Sequence, residues 1–305
     1  MASLQLYEEL HGQSDCAPRD DFLSDLLLTA ESISPISKPI KSIPQVHSSN
    51  IICCSFVESS NGEQLALTGA ADKSLCLTRI EDEERIDYKV AAFAAPPLSI
   101  SINPMKQNLA VVSCMDGSAR IFEIDERNES TTRLEEIQCL QDHGAAYVLN
   151  AKFSSRGDLL ATCSKDKTVR VYSSQDNQWI LKKTLFFPET AECLEFSSVS
   201  LICLFLANLP QNSLIVGVRG DNRLRLFDLQ TLQEKEFINM NTTRDDYVSF
   251  TPLDISYSSS LDIIGVSSGE THWFLCSQFD FRQESSGNLE VRISGSHSSS
   301  LWCHQ

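Results

Sequence analysis

Apolar and polar positions alternate in short bursts along most of this chain. The stretch "VLNAKFSSRGDLLATCSKDKTVRVYSS", 148–174, shows the unit plainly. An alternating segment is followed by a turn, an apolar segment, a tight polar turn and a second alternating segment. Period-two alternation puts one side of a strand in a core and the other in solvent, and a Gly/Asp/Lys-rich break turns the chain. The pattern returns in "IICCSFVESSNGEQLALTGAADKSLCLTRIED" and "PLSISINPMKQNLAVVSCMDGSARIFEID". Two looser copies follow, "CLEFSS…NSLIVGVRGDNRLRLFDLQ" and "PLDISYSSSLDIIGVSSGETHWFLCS". Residues 1–44 read differently. In "RDDFLSDLLLTAE" an Asp-rich start precedes Phe22, Leu23, Leu26 and Leu27 on one helical face. Pro35, Pro39 and Pro44 then rule out regular helix and mark an extended linker.

The copies recur at a spacing of roughly 40 to 50 residues, the period of propeller blades. A small sheet of this kind has apolar faces on both sides, and neighbouring blades cover them. The expected fold is therefore all-β, a β-propeller over 45–285. A short helix and Pro/Ser-rich linker over 1–44 precede it, and a Ser-rich tail over 286–305 follows. About five to six blades are visible.

At this point the chain resembles the WD-repeat family of β-propellers, over residues 46 to about 280. The resemblance implies a hydrogen-bonded network in each blade. In the best unit His143 takes the His position, Asp166 the turn Asp, and Tyr172 the position usually held by Trp. Thr162 or Ser164 supplies the hydroxyl. Asp72, Asp116 and Asp221 match the turn Asp of other blades, and Phe122 and Phe227 the aromatic. No segment spells the WD pair; Phe227-Asp228 comes nearest. Family members that serve as cullin-ligase receptors carry a basic residue two places after that pair, where Gln230 stands here, which weakens that role. Seven blades are typical of the family. Either an N-terminal segment completes the ring, or the chain is a short isoform or fragment. The abrupt end and the helical pattern of the N-terminal region favour the second.

Composition narrows the partners. The 305 residues carry a formal net charge of −16. A strongly acidic chain without a Lys/Arg run has no general electrostatic route to nucleic acid. The 11 cysteines lie in apolar stretches without a C-x-x-C pair. They read as small buried hydrophobes in a reducing compartment, cytoplasmic and/or nuclear. The apolar run "VSLICLFLANL" in the fourth unit is too short to span a bilayer as a helix. It reads as an extra edge strand, a partner-binding patch, or a product of alternative splicing or gene-model error.

Catalytic motifs dissolve in context. "GVSSG" matches a nucleophile elbow, but a strand rather than a helix follows Ser267, so a hairpin turn is the better reading. No phosphate-binding Gly loop occurs, and His297, Cys303 and His304 match no standard zinc spacing. No cofactor or metal is expected. The leading expectation is a non-catalytic scaffold for other proteins in a multiprotein complex. The second is a recognition module for a modified peptide or small ligand at the propeller mouth, with Arg219, Arg223 and Arg244 candidates by loop position. Phe22, Leu23, Leu26 and Leu27 either dock in a partner's groove or pack on their own propeller. Replacing Leu26 and Leu27 by Asp separates the two: lost partner capture at an unchanged melting temperature means docking, and a lowered melting temperature means packing.

Overall fold

The structure is a computed structural model. It describes residues 46–59, 62, 64–79, 88–90, 93–125, 133–198, 212–240, 251–258, 263–268, 273–277, 281–283 and 289–291. The chain divides into two units, Met1–Lys41 and Ser42–Gln305. The N-terminal helix and most of the linker expected from the sequence, and the apolar insertion of the fourth unit, lie outside the described residues.

Every described element is a strand. Blade one is β1 (Ile51–Glu58), β2 (Gln64–Ala70), β3 (Leu75–Arg79) and β4 (Tyr88–Val90). Blade two is β5 (Pro97–Ile102), β6 (Leu109–Cys114), β7 (Ala119–Asp125) and β8 (Arg133–Leu140). Blade three is β9 (Val148–Phe153), β10 (Leu159–Ser164), β11 (Thr168–Gln175) and β12 (Gln178–Phe186). Blade four is β13 (Ala191–Ser198), β14 (Asn212–Val218), β15 (Arg223–Asp228) and β16 (Glu234–Asn239). A fifth blade has three described strands, β17 (Pro252–Ser258), β18 (Ile263–Ser268) and β19 (Trp273–Ser277). Each is an antiparallel meander in chain order, and two short strands, β20 (Phe281–Gln283) and β21 (Leu289–Val291), join the sheet of blade four beyond β16. This is the arrangement of a β-propeller, with four complete blades and part of a fifth among the described residues.

The same irregularities recur. The first strand of a blade is bulged near its start, between Ile51 and Cys53, Pro97 and Ser99, Ala191 and Cys193, and Pro252 and Asp254. A second bulge immediately precedes the aromatic position in the third strand, at Phe122, Tyr172 and Phe227. Such bulges increase twist.

Because side chains alternate across a strand, each blade has one face toward its predecessor and one toward its successor. The successor face of blade one offers Leu65, Leu67, Leu75 and Leu77, which pack on Ala110, Val112 and Phe122 of blade two. Val111 and Ile121 meet Ala151, Phe153, Leu160 and Tyr172 of blade three. Ala161, Val169 and Val171 meet Leu194, Phe196 and Leu214 of blade four. Ile215 and Leu224 meet Ile255, Ile264 and Val266 of blade five. The core is thus a series of slabs between sheets rather than one central mass.

Polar contacts fix the slabs in register. Ala151 N–H donates to Ser99 Oγ across the blade two–three interface at 3.0 Å. At the outer edge the Gln138 amide donates to Trp179 O at 2.9 Å and accepts from Trp179 N–H at 2.8 Å. Close approach also needs glycine. A Cβ on Gly217 would stand 2.6 Å from both Cys193 Sγ and Pro252 Cγ. Gly217→Ala is therefore expected to cost about 1–3 kcal/mol through overpacking at the blade four–five interface, read as a shift in the denaturant midpoint at unchanged slope.

Candidate functional site: the loop mouth

One end of the blades collects the turns between second and third strands and the loops that enter each first strand. A repeated backbone bond ties the two sets together. Ala71, Met115, Lys165 and Arg219 donate N–H to the carbonyls of Asn50, Pro96, Tyr147 and Thr190 at 2.8–3.0 Å. Each turn is thereby pinned to the loop beside it.

The turns themselves are built on Asp. In blade three Asp166 Oδ1 accepts Thr168 N–H at 2.9 Å and Thr168 Oγ1 at 2.6 Å. Its Oδ2 accepts Arg170 Nη1 at 2.8 Å and pairs with His143 Nδ1 at 2.9 Å. His143 Nε2 lies 2.7 Å from Thr162 Oγ1. A neutral imidazole that donates from Nδ1 to Asp166 and accepts the Thr162 hydroxyl at Nε2 satisfies both contacts. Ser164 does something else: its Oγ accepts Asp166 N–H at 3.1 Å. The Tyr172 hydroxyl donates to Asp142 at 2.9 Å, and its ring is buried between blades two and three.

The other blades vary this theme. Asp116 accepts Ser118 N–H and Oγ and pairs with Arg120 at 3.0 Å. Asp221 accepts Arg223 N–H at 3.1 Å and pairs with Arg225 at 2.9 Å. The Asp-x-x-x-Arg pair therefore occurs in blades two, three and four. Where the loop supplies Phe instead of His, the Arg lies over its ring: Arg120 is 5.2 Å from the Phe93 centroid and Arg225 6.0 Å from that of Phe187. Blade one has His47 at this place. Its Nδ1 lies 2.8 Å from Ser74 Oγ and its Nε2 2.8 Å from Thr68 Oγ1, while Asp72 accepts Ser74 N–H at 3.1 Å. The sequence reading missed His47 because it aligned blade one from Ile51. The spacing of His47 to Asp72, close to that of His143 to Asp166, was the available signal.

A residue directly after the Asp takes the left-handed conformation in three turns: Lys73 at φ 63°, Gly117 at φ 88° and Lys167 at φ 67°. Glycine is needed only in the second, where a Cβ would lie 2.0 Å from Gly144 O.

The electrostatics suit a structural network. Burial would raise the Asp166 carboxyl, but hydrogen bonds from Thr168, Arg170 and His143 prevail and hold it at about 2. Burial pushes His143 below its ordinary value, against the pull of Asp166. His143 is thus a base whose folded pKa lies below its unfolded one. Its contribution to stability is fully present above about pH 6.5 and is lost as pH falls below that. Asp166, an acid with a depressed pKa, keeps its contribution until pH falls below about 4 and loses it toward about 2. The melting temperature is therefore expected to fall in two steps on acidification. His143→Gln should flatten the upper step, which begins as pH falls below about 6.5, and leave the lower one.

At the mouth surface Tyr147 is 41% exposed, with Lys165 Nζ 5.3 Å from its ring centroid. Lys167 pairs with Glu189 at 3.2 Å, and Arg219 pairs with Glu192. Of the candidate partner contacts, Arg219 and Arg223 stand at the turn of blade four, both exposed. Arg244, Phe22, Leu23, Leu26 and Leu27 lie outside the described residues. At the opposite end, Phe56, Glu58, Gln64, Ile102, Asn103, Pro104 and Gln107 line an open pocket. Among the described residues no three His, Cys, Asp or Glu side chains are grouped to hold a metal ion.

The family model "WD domain, G-beta repeat" matches residues 134–173, the outer strand β8 of blade two and β9 to β11 of blade three with the His143–Asp166 network. That stretch of the chain carries a WD repeat. Among curated proteins it is 25% identical over 180 residues to Elongator complex protein 2 of Schizosaccharomyces pombe (strain 972), covering 55% of this chain. The chain spans only 22% of that relative's length. Among solved structures it is similar to a chain of the "Crystal Structure of Mitotic Checkpoint Complex", with a TM-score of 0.58 and 15% identity, covering 82% of this chain and 65% of that one. That likeness establishes the propeller fold alone. WD-repeat propellers generally serve as scaffolds for protein interaction.

Proposed function

We propose that this β-propeller is a non-catalytic scaffold whose loop mouth binds other proteins within a multiprotein complex. The observation that carries the reading is how the turn carboxylates are spent. Asp116, Asp166 and Asp221 each bond their own turn and pair with an Arg of the next strand. Charged groups committed in this way stiffen loops rather than perform acid–base chemistry. Stiff loops on a strand scaffold make a binding surface that loses little entropy on association. Tyr147 with Lys165 supplies an aromatic and cationic contact on that surface, the side-chain chemistry that concentrates binding energy at interfaces. The name of the curated relative, Elongator complex protein 2, points the same way.

Recognition of a modified peptide by Arg219 is disfavoured by its pairing with Glu192, which already neutralises the guanidinium. The buried thiols of Cys114, Cys163 and Cys193 support residence in the cytoplasm and/or nucleus. Among the described residues no helix is long and apolar enough to cross a membrane.

The test is quantitative affinity capture with the full chain and with a Tyr147→Ala/Lys165→Glu variant. Both side chains are surface-accessible, so melting should shift by less than about 1 kcal/mol equivalent. A set of proteins captured by the wild type and lost together from the variant supports the mouth as the binding surface. Equal capture by both overturns it.

A further inference from the structure

The blades repeat, so the mouth of one can be compared with that of the next. The turn residue that donates its N–H to the loop, and the loop residue that accepts it, are Ala71 with Asn50 in blade one and Met115 with Pro96 in blade two. In blade three they are Lys165 with Tyr147, and in blade four Arg219 with Thr190. Among these four pairs only that of blade three sets a cation beside an aromatic ring. Both side chains are exposed, with Lys165 Nζ 5.3 Å from the ring centroid. Blades two and four pack on the two faces of blade three, so its rim is open toward the mouth and not along an unfilled side.

The charges on this rim are unequal. Lys167 pairs with Glu189 at 3.2 Å, and Arg219 of the next blade pairs with Glu192. Lys165 has no carboxylate partner among the described residues. An ammonium has three N–H donors, and a ring face occupies one side of it only, so donors are left for an incoming oxygen. Further out on the same rim Phe187 N–H donates to Lys167 O at 2.9 Å, and Phe186 lies opposite Thr168 in register, 81% exposed. Tyr147 leads into the first strand of blade three and Phe186 ends the fourth, while Lys165 follows the second and stands between them. Three strand spacings, about 14 Å, separate the two rings, the reach of about four extended residues.

We propose that the rim of blade three holds an extended acidic segment of a partner protein. A carboxylate of the segment pairs with Lys165, and apolar side chains about four residues apart cover Tyr147 and Phe186. This rests on the mouth as the binding surface and adds the chemistry of what binds there. Charge complementarity selects the acid: Lys165 repels a basic segment, and Glu189 and Glu192 are already neutralised. The formal net charge of −16 opposes an acidic partner elsewhere on the chain, so an unpaired cation between two exposed rings is where one can settle.

The test is a displayed library of random ten-residue peptides selected on the purified full chain. Peptides with Asp or Glu between apolar residues about four apart should be enriched. Lys165→Glu should bind the recovered peptide at least tenfold more weakly, and a copy of the peptide with its acid changed to Lys should regain binding to that variant. Phe186→Ser should weaken the recovered peptide at least threefold. Lys182→Glu, an exposed charge change halfway along β12, should leave it unchanged. All three side chains are exposed, so the variants should melt as the wild type does. Enrichment of basic or neutral peptides, no enrichment, or acidic peptides held equally by Lys165→Glu or by Phe186→Ser would overturn the proposal. The two readings fail separately. Proteins still lost from the Tyr147→Ala/Lys165→Glu variant, with no acidic peptide selected, would mean that the mouth binds a partner of other chemistry.

Discussion

Phe153→Ala is expected to lower stability by about 3–5 kcal/mol, the largest effect of any single change considered. The ring is 5% exposed, sits in the slab between blades two and three, and lies 5.2 Å from the Trp179 centroid. Its removal leaves a cavity whose walls are strands held by ladder bonds on both sides, so little collapse is available to offset the loss. Phe153 N–H also donates to Ser101 Oγ at 3.4 Å, which keeps the two inner strands in place and the cavity open. The control is Phe56→Ala at the equivalent position in blade one. With the side chain 68% exposed, that change should cost less than about 1 kcal/mol. Chemical denaturation of the two variants side by side reads the difference, and equal losses would show that the blade comparison is wrong.

Asp166→Ala is expected to cost about 3 kcal/mol. The carboxylate accepts from Thr168 twice, from Arg170 and from His143. Hydrogen bonds to a charged group contribute more than neutral ones, and the partners left behind would be partly buried without an acceptor. Arg170 is the most affected, since its side chain is only 15% exposed and would keep a charge with its carboxylate gone. Some of the penalty is recoverable by water at the rim, which keeps the estimate at the low end of the range for a fully buried pair. Asp166→Asn should lie between the wild type and Ala, because an amide oxygen still accepts Thr168 N–H. Thermal melts at neutral pH check the order. The three proteins should draw together as pH falls toward about 2, where the wild-type carboxylate takes up its proton.

The blades were legible because their physics is local. Alternation over 148–174 reports burial directly, and Asp166-Lys167 reports the turn. The Asp-x-x-x-Arg pairs at Asp116, Asp166 and Asp221 were equally open to view but went unread, since spacing alone does not say that an Arg on a strand turns back to its own turn. His47 was hidden for a different reason. Blade one has Thr78 at the register position that holds Phe122, Tyr172 and Phe227 elsewhere. The unit was aligned from Ile51, so the loop that carries His47 ahead of β1 fell outside it. The choice between the Thr162 and Ser164 hydroxyls turned on strand register. Thr162 lies opposite Arg170 and reaches His143, whereas Ser164 sits at the strand end and serves the turn. Exposure of Phe56 was unreadable from sequence, because the repeat gives it the same register position in a first strand as buried Phe153.

The turns hold the loop mouth stiff, and amide hydrogen exchange on the full chain tests that most directly. Thr168 and Ser118 donate N–H to turn Asp side chains, and Met115, Lys165 and Arg219 donate to neighbouring loops. These amides should exchange as slowly as those of the buried strand β10, through opening of whole blades rather than of single loops. Exchange within seconds at those positions, with β10 still protected, would show floppy loops on a stable sheet and contradict the account.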